Sequence, residues 1–327
     1  MFSRRTLPVW IGVIFLSGMF LMGQETWPPQ LTKRPVPDTG ITECYDNAQA
    51  IECPSPGQPF YGQDAQYVMN PMSYTDNLEG TVTDKVTGLM WQREDDDVMR
   101  TWVSAISYCE NLTLGNHNDW RLPNEYELQS IVDYGRYDPA IDTTVFPGTI
   151  GNFYWSSSTF YLTDCAWGVS FYYGSVDGSG KMYRYSARCV RGEQTYPSSF
   201  TDNLDATVTD NVTGLMWQQE DDNQERNWEA ALAYCEDLDL GGHVDWRLPD
   251  VKELRSIVDN TRYNPAIDTG VFPGTGTELR YYWSSSTGAY SPWSDYFELA
   301  WNVDFYTGGV GHGYGDKTNT YYVRCVR

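Results

Sequence analysis

Seven cysteines, two runs of consecutive acidic residues, and two histidines that each sit two residues before an aspartate are where this chain could do chemistry. The runs Glu94–Asp97 and Glu220–Asp222 cluster carboxylates, and Asp95, Asp96, Asp97, Asp221 and Asp222 are candidate ligands for a hard cation such as Ca2+. Their position just ahead of a helix start has a second account, in which negative charge faces the positive end of the helix dipole. His117 with Asp119, and His243 with Asp245, read as a base and its orienting carboxylate. Recurrence at the same place in a glycine-containing loop reads instead as loop bracing by hydrogen bonds, the account preferred here. No H-E-x-x-H, G-x-S-x-G or Walker sequence occurs, so the expectation is a protein that is not an enzyme.

The elements that position these residues are written twice. Trp91, Cys109, Trp120 and Pro147 recur 126 positions later as Trp217, Cys235, Trp246 and Pro273. A period that long marks a duplicated domain rather than a solenoid repeat, and the expectation is two beads on one chain. The repeat also pairs the cysteines: Cys109 with Cys189, Cys235 with Cys325, and Cys44 with Cys53 ahead of the first copy. Cys165 is left over, with Leu299 in the matching place.

Residues 1–23 carry Arg4 and Arg5 and then an apolar run from Leu7 to Met22, the layout of a secretory signal, with an uncleaved anchor as the alternative. The expected location is secreted, periplasmic or cell-surface, with membrane contact only through that segment. The formal charge is −22, and loss of Arg4 and Arg5 would make it −24. Such a field repels phosphates, so no nucleic-acid partner is expected.

Residues 24–71 are rich in proline and predict an extended leader with a Cys44–Cys53 loop. Copy one is expected over 72–192, a linker over 193–198 and copy two over 199–327. In each copy Val82–Asp84 and Leu89–Gln92, or their repeats Val208–Asp210 and Leu215–Gln218, read as strands. Trp102, Ala105, Ile106, Cys109 and Leu112 fall at helical spacing behind Thr101, as their counterparts do behind Asn227. Asn124 with Glu127, and Asp250 with Glu253, have the spacing of capping boxes for a second helix. Strand-like runs follow at Tyr154–Ser157, Ala166–Tyr172 and Ala187–Arg191. Each copy is therefore expected to be α+β, with two early helices and an antiparallel sheet.

Five ordered motifs now carry a resemblance: Thr81-Val82-Thr83-Asp84, Thr87-Gly88-Leu89-Met90-Trp91, Asp119-Trp120-Arg121-Leu122-Pro123, Tyr154-Trp155-Ser156-Ser157 and Arg188-Cys189-Val190-Arg191. Their sequence resembles the family named after the C-terminal domain of the Legionella collagen-like (Lcl) adhesin, over nearly all of both copies. The Arg-Leu-Pro helix start and the terminal Val323–Arg327 are similar to the wider class of C-type-lectin-like folds that includes the formylglycine-generating enzymes. The resemblance implies a binding scaffold with variable loops. The oxidase activity of that class uses a cysteine pair that binds copper, and here the repeated cysteines are assigned to bridges. Trp301-Asn302-Val303-Asp304 is similar to the calcium triplet of sugar-binding lectins but is broken by the valine, and copy one has Trp167-Gly168-Val169-Ser170.

The two copies diverge most where Tyr, Trp, Ser, Gly and Asp collect in loops, the composition of a recognition surface. The ligand-facing set is expected to be Tyr161, Asp164, Tyr173, Asp177 and Tyr183 in copy one, with Tyr290, Trp293, Asp295, Tyr296, His312, Tyr314 and Asp316 in copy two. The repeated tryptophans Trp91, Trp120, Trp155, Trp217, Trp246 and Trp283 are assigned to the core. Arg121, Arg188 and Arg191, with Arg247, Arg324 and Arg327, are assigned to internal ion pairs. The expected partner is an extracellular glycan or protein; a structural envelope role, with Cys165 cross-linking chains, is the first alternative, and a formylglycine-generating-type oxidase the second.

Overall fold

Proline-rich sequence forms no long ladder, yet the leader of this protein is folded against the rest of it. The computed structural model describes residues 33–193, 199–278, 280–288, 298–311 and 315–327; the N-terminal apolar segment lies outside them. Strands β1 (Cys44–Tyr45) and β2 (Ala50–Ile51) pair as a hairpin that is closed by the Cys44–Cys53 disulfide. One 3-10 turn follows at Asp64–Gln66. Thr39, Gln63 and Asp64 are buried, which corrects the expectation of a merely extended leader. Polar side chains replace the missing ladder: Gln63 both accepts from Tyr45 N and donates to Tyr45 O, each at 2.9 Å, and Asp64 accepts from Thr39 Oγ1 at 2.8 Å.

Copy one opens with the meander β3 (Tyr74–Asp76), β4 (Thr81–Asp84) and β5 (Met90–Gln92). Helix α1 (Trp102–Glu110) follows Thr101, whose hydroxyl meets Ser104 Oγ rather than a backbone N–H. Helix α2 (Glu125–Ser130) starts on the expected capping box, with Glu127 N donating to Asn124 Oδ1 and Asn124 N to Glu127 Oε2. The strands β6 (Phe153–Thr159), β7 (Cys165–Ser170) and β8 (Ser175–Gly180) form an antiparallel run, and β9 (Val190–Arg191) returns to β5.

Copy two repeats this as β10 (Phe200–Asp202), β11 (Thr207–Asp210), β12 (Met216–Gln218), α3 (Trp228–Glu236), α4 (Val251–Ser256), β13 (Tyr281–Thr287), β14 (Ala300–Asp304) and β15 (Val310–Gly311). Asn227 caps α3 by accepting from Ala230 N, and Asp250 with Glu253 closes the box on α4. The class is α+β, two tandem domains.

The two beads are not separate. The second-half strands of both copies join in one six-stranded sheet of order β13-β14-β15-β8-β7-β6, where Val310 pairs with Val176. Outside it, Ser186 runs beside Tyr154 of β6, and Tyr322 beside Tyr282 of β13. A single apolar cluster runs through both copies, from Trp91, Leu128 and Phe171 to Trp217, Leu254 and Phe305.

Strand β8 carries Asp177 and lies between Tyr173 and Tyr183, in a stretch that reads from sequence as a divergent hairpin and loop. Its sequence, Ser-Val-Asp-Gly-Ser-Gly, has little strand propensity. It is held by a complete register against β7, and the absence of a side chain at Gly178 lets the Phe160 ring lie against the backbone, 2.6 Å from where a Cβ would stand.

Each copy also has a smaller core behind its disulfide. Cys109–Cys189 lies among Trp120, Trp155 and Ala105, and Cys235–Cys325 among Trp228, Trp246 and Trp283. All six tryptophans assigned to the core are buried.

Candidate functional site

Most of the repeated charged residues are consumed by the framework. Arg188, two residues before β9, is fully buried and donates to the carbonyls of Gln92 and Arg93 and to Thr149 Oγ1, with Asp95 at 3.3 Å. Arg324 does the same with Gln218, Gln219, Thr275 and Asp221. Asp95 and Asp221 also accept from Tyr154 OH (2.6 Å) and Tyr282 OH (2.5 Å). Asp96 and Asp222 each take both Nη groups of an arginine, Arg100 and Arg226, whose guanidinium holds the Asp222 carboxyl below its usual range. A cation at Asp95–Asp97 would meet Asp95 and Asp96 already paired with Arg188 and Arg100. Asp97 is exposed, its φ of 55° closing the loop.

The histidine pairs do not form dyads. Asp119 is gripped by Arg191 at 2.8 and 3.0 Å, and Asp245 by Arg327 at 2.7 and 3.0 Å. The histidines shape tight turns through their backbones, His117 with Leu114 and His243 with Leu240. Arg121 and Arg247 make bidentate pairs with Glu127 and Glu253. All six arginines assigned to internal pairing are so used.

Among the described residues, the expected ligand set lies at more than one place on the fold. Tyr161, Asp164 and Tyr183 lie together at the β6–β7 turn and the end of β8, where Lys181 N donates to Asp164 O. Tyr173 sits at the opposite end of these strands, in the β7–β8 turn, tilted against Tyr137 and edge-on to Tyr172. Asp177 is exposed on β8 between those ends. Asp316 turns inward on its own loop, accepting from Thr318 N and Oγ1. Tyr290, Trp293, Asp295, Tyr296, His312 and Tyr314 lie outside the described residues. Tyr161 is stacked on Tyr263 of the other copy with ring centroids 4.0 Å apart. At the near end Met182 and Tyr183 are 90% and 64% exposed.

Two features escape sequence reading. The first is where the leader meets copy two: Asp64 accepts from Ser286 Oγ at 2.5 Å, Tyr67 OH donates to Glu236 at 2.5 Å, and Lys317 Nζ donates to the Asp46 carbonyl at 2.9 Å while lying 4.2 Å over the Trp228 ring. Burial raises the Asp64 carboxyl to about 6 and lowers the Lys317 ammonium to about 7. The second lies between the copies. Glu125 of α2 faces Arg255 of α4 at 4.0 Å, both are buried, and Arg255 lies over the rings of Tyr126 and Trp167. Lys252 Nζ donates to Ser130 O and Asp38 O, tying both copies and the leader to one ammonium. Burial lowers that ammonium to about 8. The signal available in sequence was the departure from the repeat, since copy two has Val251, Lys252 and Arg255 at the positions equivalent to Glu125, Tyr126 and Gln129.

The three disulfides fit an oxidising compartment. The family model of the Lcl C-terminal domain matches the chain twice, at residues 80–191 and 206–327, and the chain belongs to that family. No curated protein matches it.

Proposed function

We propose that this member of the Lcl C-terminal domain family is an exported, adhesin-like binding protein, whose two lectin-like modules hold a neutral glycan or a protein ligand on their aromatic loops. The observation that carries the reading is a division of labour. The repeated Arg, Asp, Glu, Cys and Trp residues are locked in ion pairs, bridges and cores, whereas the side chains left open at the near rim of copy one are Tyr183, Met182, Leu162 and Tyr161. Aromatic rings on a rigid frame give contact area at small entropic cost. A charge of −22 disfavours sulfated or carboxylated polysaccharides and favours an uncharged sugar or a basic or apolar protein face.

Catalysis forms no part of the proposal, because each histidine-adjacent aspartate is held by arginine and Cys165 has no second thiol beside it. Calcium is not required by it either. The test is binding of the intact protein to a glycan array and to a panel of purified extracellular proteins, with Tyr183→Ala for the near rim and Tyr173→Ala for the far one. Signal lost in one of these variants supports the reading; blank arrays, or signal unchanged in both, sink it.

A further inference from the structure

The duplicated surface of α1 and α3 is covered in one copy and open in the other. In copy two the leader lies on it: Phe60 packs 6.3 Å from Trp228, Tyr45 lies 5.7 Å from the Lys317 ammonium, the Asp46 carbonyl accepts from that ammonium, and Tyr67 donates to Glu236 and covers Arg247. Trp228 and Leu232 are fully buried beneath it.

Copy one keeps the same residue types at the equivalent places. Trp102, Ile106, Glu110, Arg121 and Lys181 stand where copy two has Trp228, Leu232, Glu236, Arg247 and Lys317. The framework contacts are kept as well. Trp102 Nε1 donates to Ser156 O as Trp228 Nε1 does to Ser284 O, and Lys181 lies 4.5 Å over the Trp102 ring. Among the described residues, what is missing is the cover. Trp102 and Ile106 are only half-buried, Glu110 is exposed, and the Arg121 side chain is 24% exposed against 8% for Arg247. Val103 and Met182 add exposed apolar surface beside it. Lys181 spends one donor on Thr163 O, and an ammonium has three.

We propose that this face of copy one docks a protein segment of the leader's own chemistry. Such a segment would be extended, proline-rich and disulfide-closed, laying an aromatic ring on Trp102 and Ile106, offering a backbone carbonyl to Lys181 and a phenol to Glu110. The occupant is defined by what the molecule already binds on the equivalent face, not by shape alone. An anionic sugar would meet Glu110 directly, and a bare apolar helix would leave Lys181 and Glu110 unanswered. The proposal deepens the binding role and rests on it by naming the partner of the near rim. Its failure would leave a ligand at the far rim untouched, which the Tyr173→Ala variant reads separately.

The test uses the full chain and a fluorescent synthetic peptide of residues 41–68 with Cys44–Cys53 oxidised. Saturable binding is expected with a dissociation constant of about 100 µM or tighter, weakened at least about tenfold by Lys181→Glu and by Glu110→Lys. Binding should be unchanged in Lys317→Met, which would respond if the peptide merely displaced the resident leader. A second measurement covers a free peptide that does not take the leader's shape. Residues 33–71 are tethered a second time to Arg327 by a flexible linker, which raises the effective concentration to about millimolar, and peroxide oxidation of Met182 is followed. Slower oxidation of Met182, or peptide binding sensitive to Lys181→Glu, supports the proposal. Peptide binding insensitive to both copy-one variants overturns it, as does the absence of peptide binding together with unchanged Met182 oxidation.

Discussion

Val176 and Val310 are the same position in the two copies, and they face each other across the seam where β8 pairs with β15. A contact between equivalent residues is the mark of a local two-fold relation, the geometry of an isologous dimer written into one chain. The glycines beside the valines repeat it: a Cβ at Gly174 would strike Val132, and one at Gly308 would strike Val258. Around that axis the two sides have diverged, and the divergence can be tested.

Arg255→Gln alone should destabilise the protein by about 3–5 kcal/mol, because it leaves the Glu125 carboxylate buried without its cation. Glu125→Val with Arg255→Gln, which gives each helix the residue of the other copy, should return to within about 1–2 kcal/mol of the parent. Urea midpoints of the two variants decide this. A double variant as unstable as the sum of the singles would deny the pairing.

Ala206 holds a φ of 69° in the β10–β11 turn, where copy one has Gly80 at 76°. An alanine in the left-handed region costs about 1 kcal/mol that glycine avoids. Ala206→Gly is therefore expected to raise the thermal midpoint, and Gly80→Ala to lower it. Equal midpoints for Ala206→Gly and the parent would remove the strain from the account.

Lys317 gives a pH dependence with a definite sign. Its ordinary value of 10.5 is pushed down to about 7 by burial under the leader. Below about 7 both folded and unfolded chains carry the proton and the desolvation cost is felt in full. Between about 7 and 10.5 the unfolded chain binds more protons, so stability climbs with pH. Lys252, lowered to about 8, adds to the same slope from about 8 upward. Lys317→Met should flatten the rise between pH 7 and 9.5 and leave the part due to Lys252; denaturation series at four pH values would show it. An identical slope in parent and variant contradicts the burial of that ammonium.

Thiol counting tests the covalent frame. With Cys44–Cys53, Cys109–Cys189 and Cys235–Cys325 closed, iodoacetamide should label Cys165 alone, and all seven cysteines should react after reduction in denaturant. The Cys109→Ser, Cys189→Ser double variant opens an 80-residue loop and should lose about 4 kcal/mol in the chain-entropy description. Labelling of Cys109 or Cys235 before reduction would refute the pairing.

Much of this architecture was legible because the sequence repeats. The repeat paired Cys109 with Cys189 because both recur, as Cys235 at an offset of 126 and as Cys325 at an offset of 136, and capping boxes such as Asn124 with Glu127 depend only on local spacing. The arginine ion pairs followed from charge balance in an acidic chain. A hairpin over 172–186 was legible but the bounds of β8 were not, since Ser175–Gly180 has neither alternation nor propensity and exists through its neighbours on both sides. The leader clasp was hidden for a related reason: a chain full of prolines signals no regular structure, while Asp64, Tyr67 and Asp46 find partners more than 150 residues away in Ser286, Glu236 and Lys317. The near and far ends of the strands look alike in composition, so the sequence did not reveal that Tyr173 lies at the opposite end of the strands from Tyr161, Asp164 and Tyr183.

The shared sheet carries one more consequence. A lone module would present β8 or β15 with a free row of backbone donors and acceptors, a template on which other chains could add strands. Duplication makes each module the other's edge cover, while the chain beside Ser186 and Tyr322 shields β6 and β13 at the two outer margins. A molecule built this way can be crowded at high local concentration with little tendency to grow into fibrils.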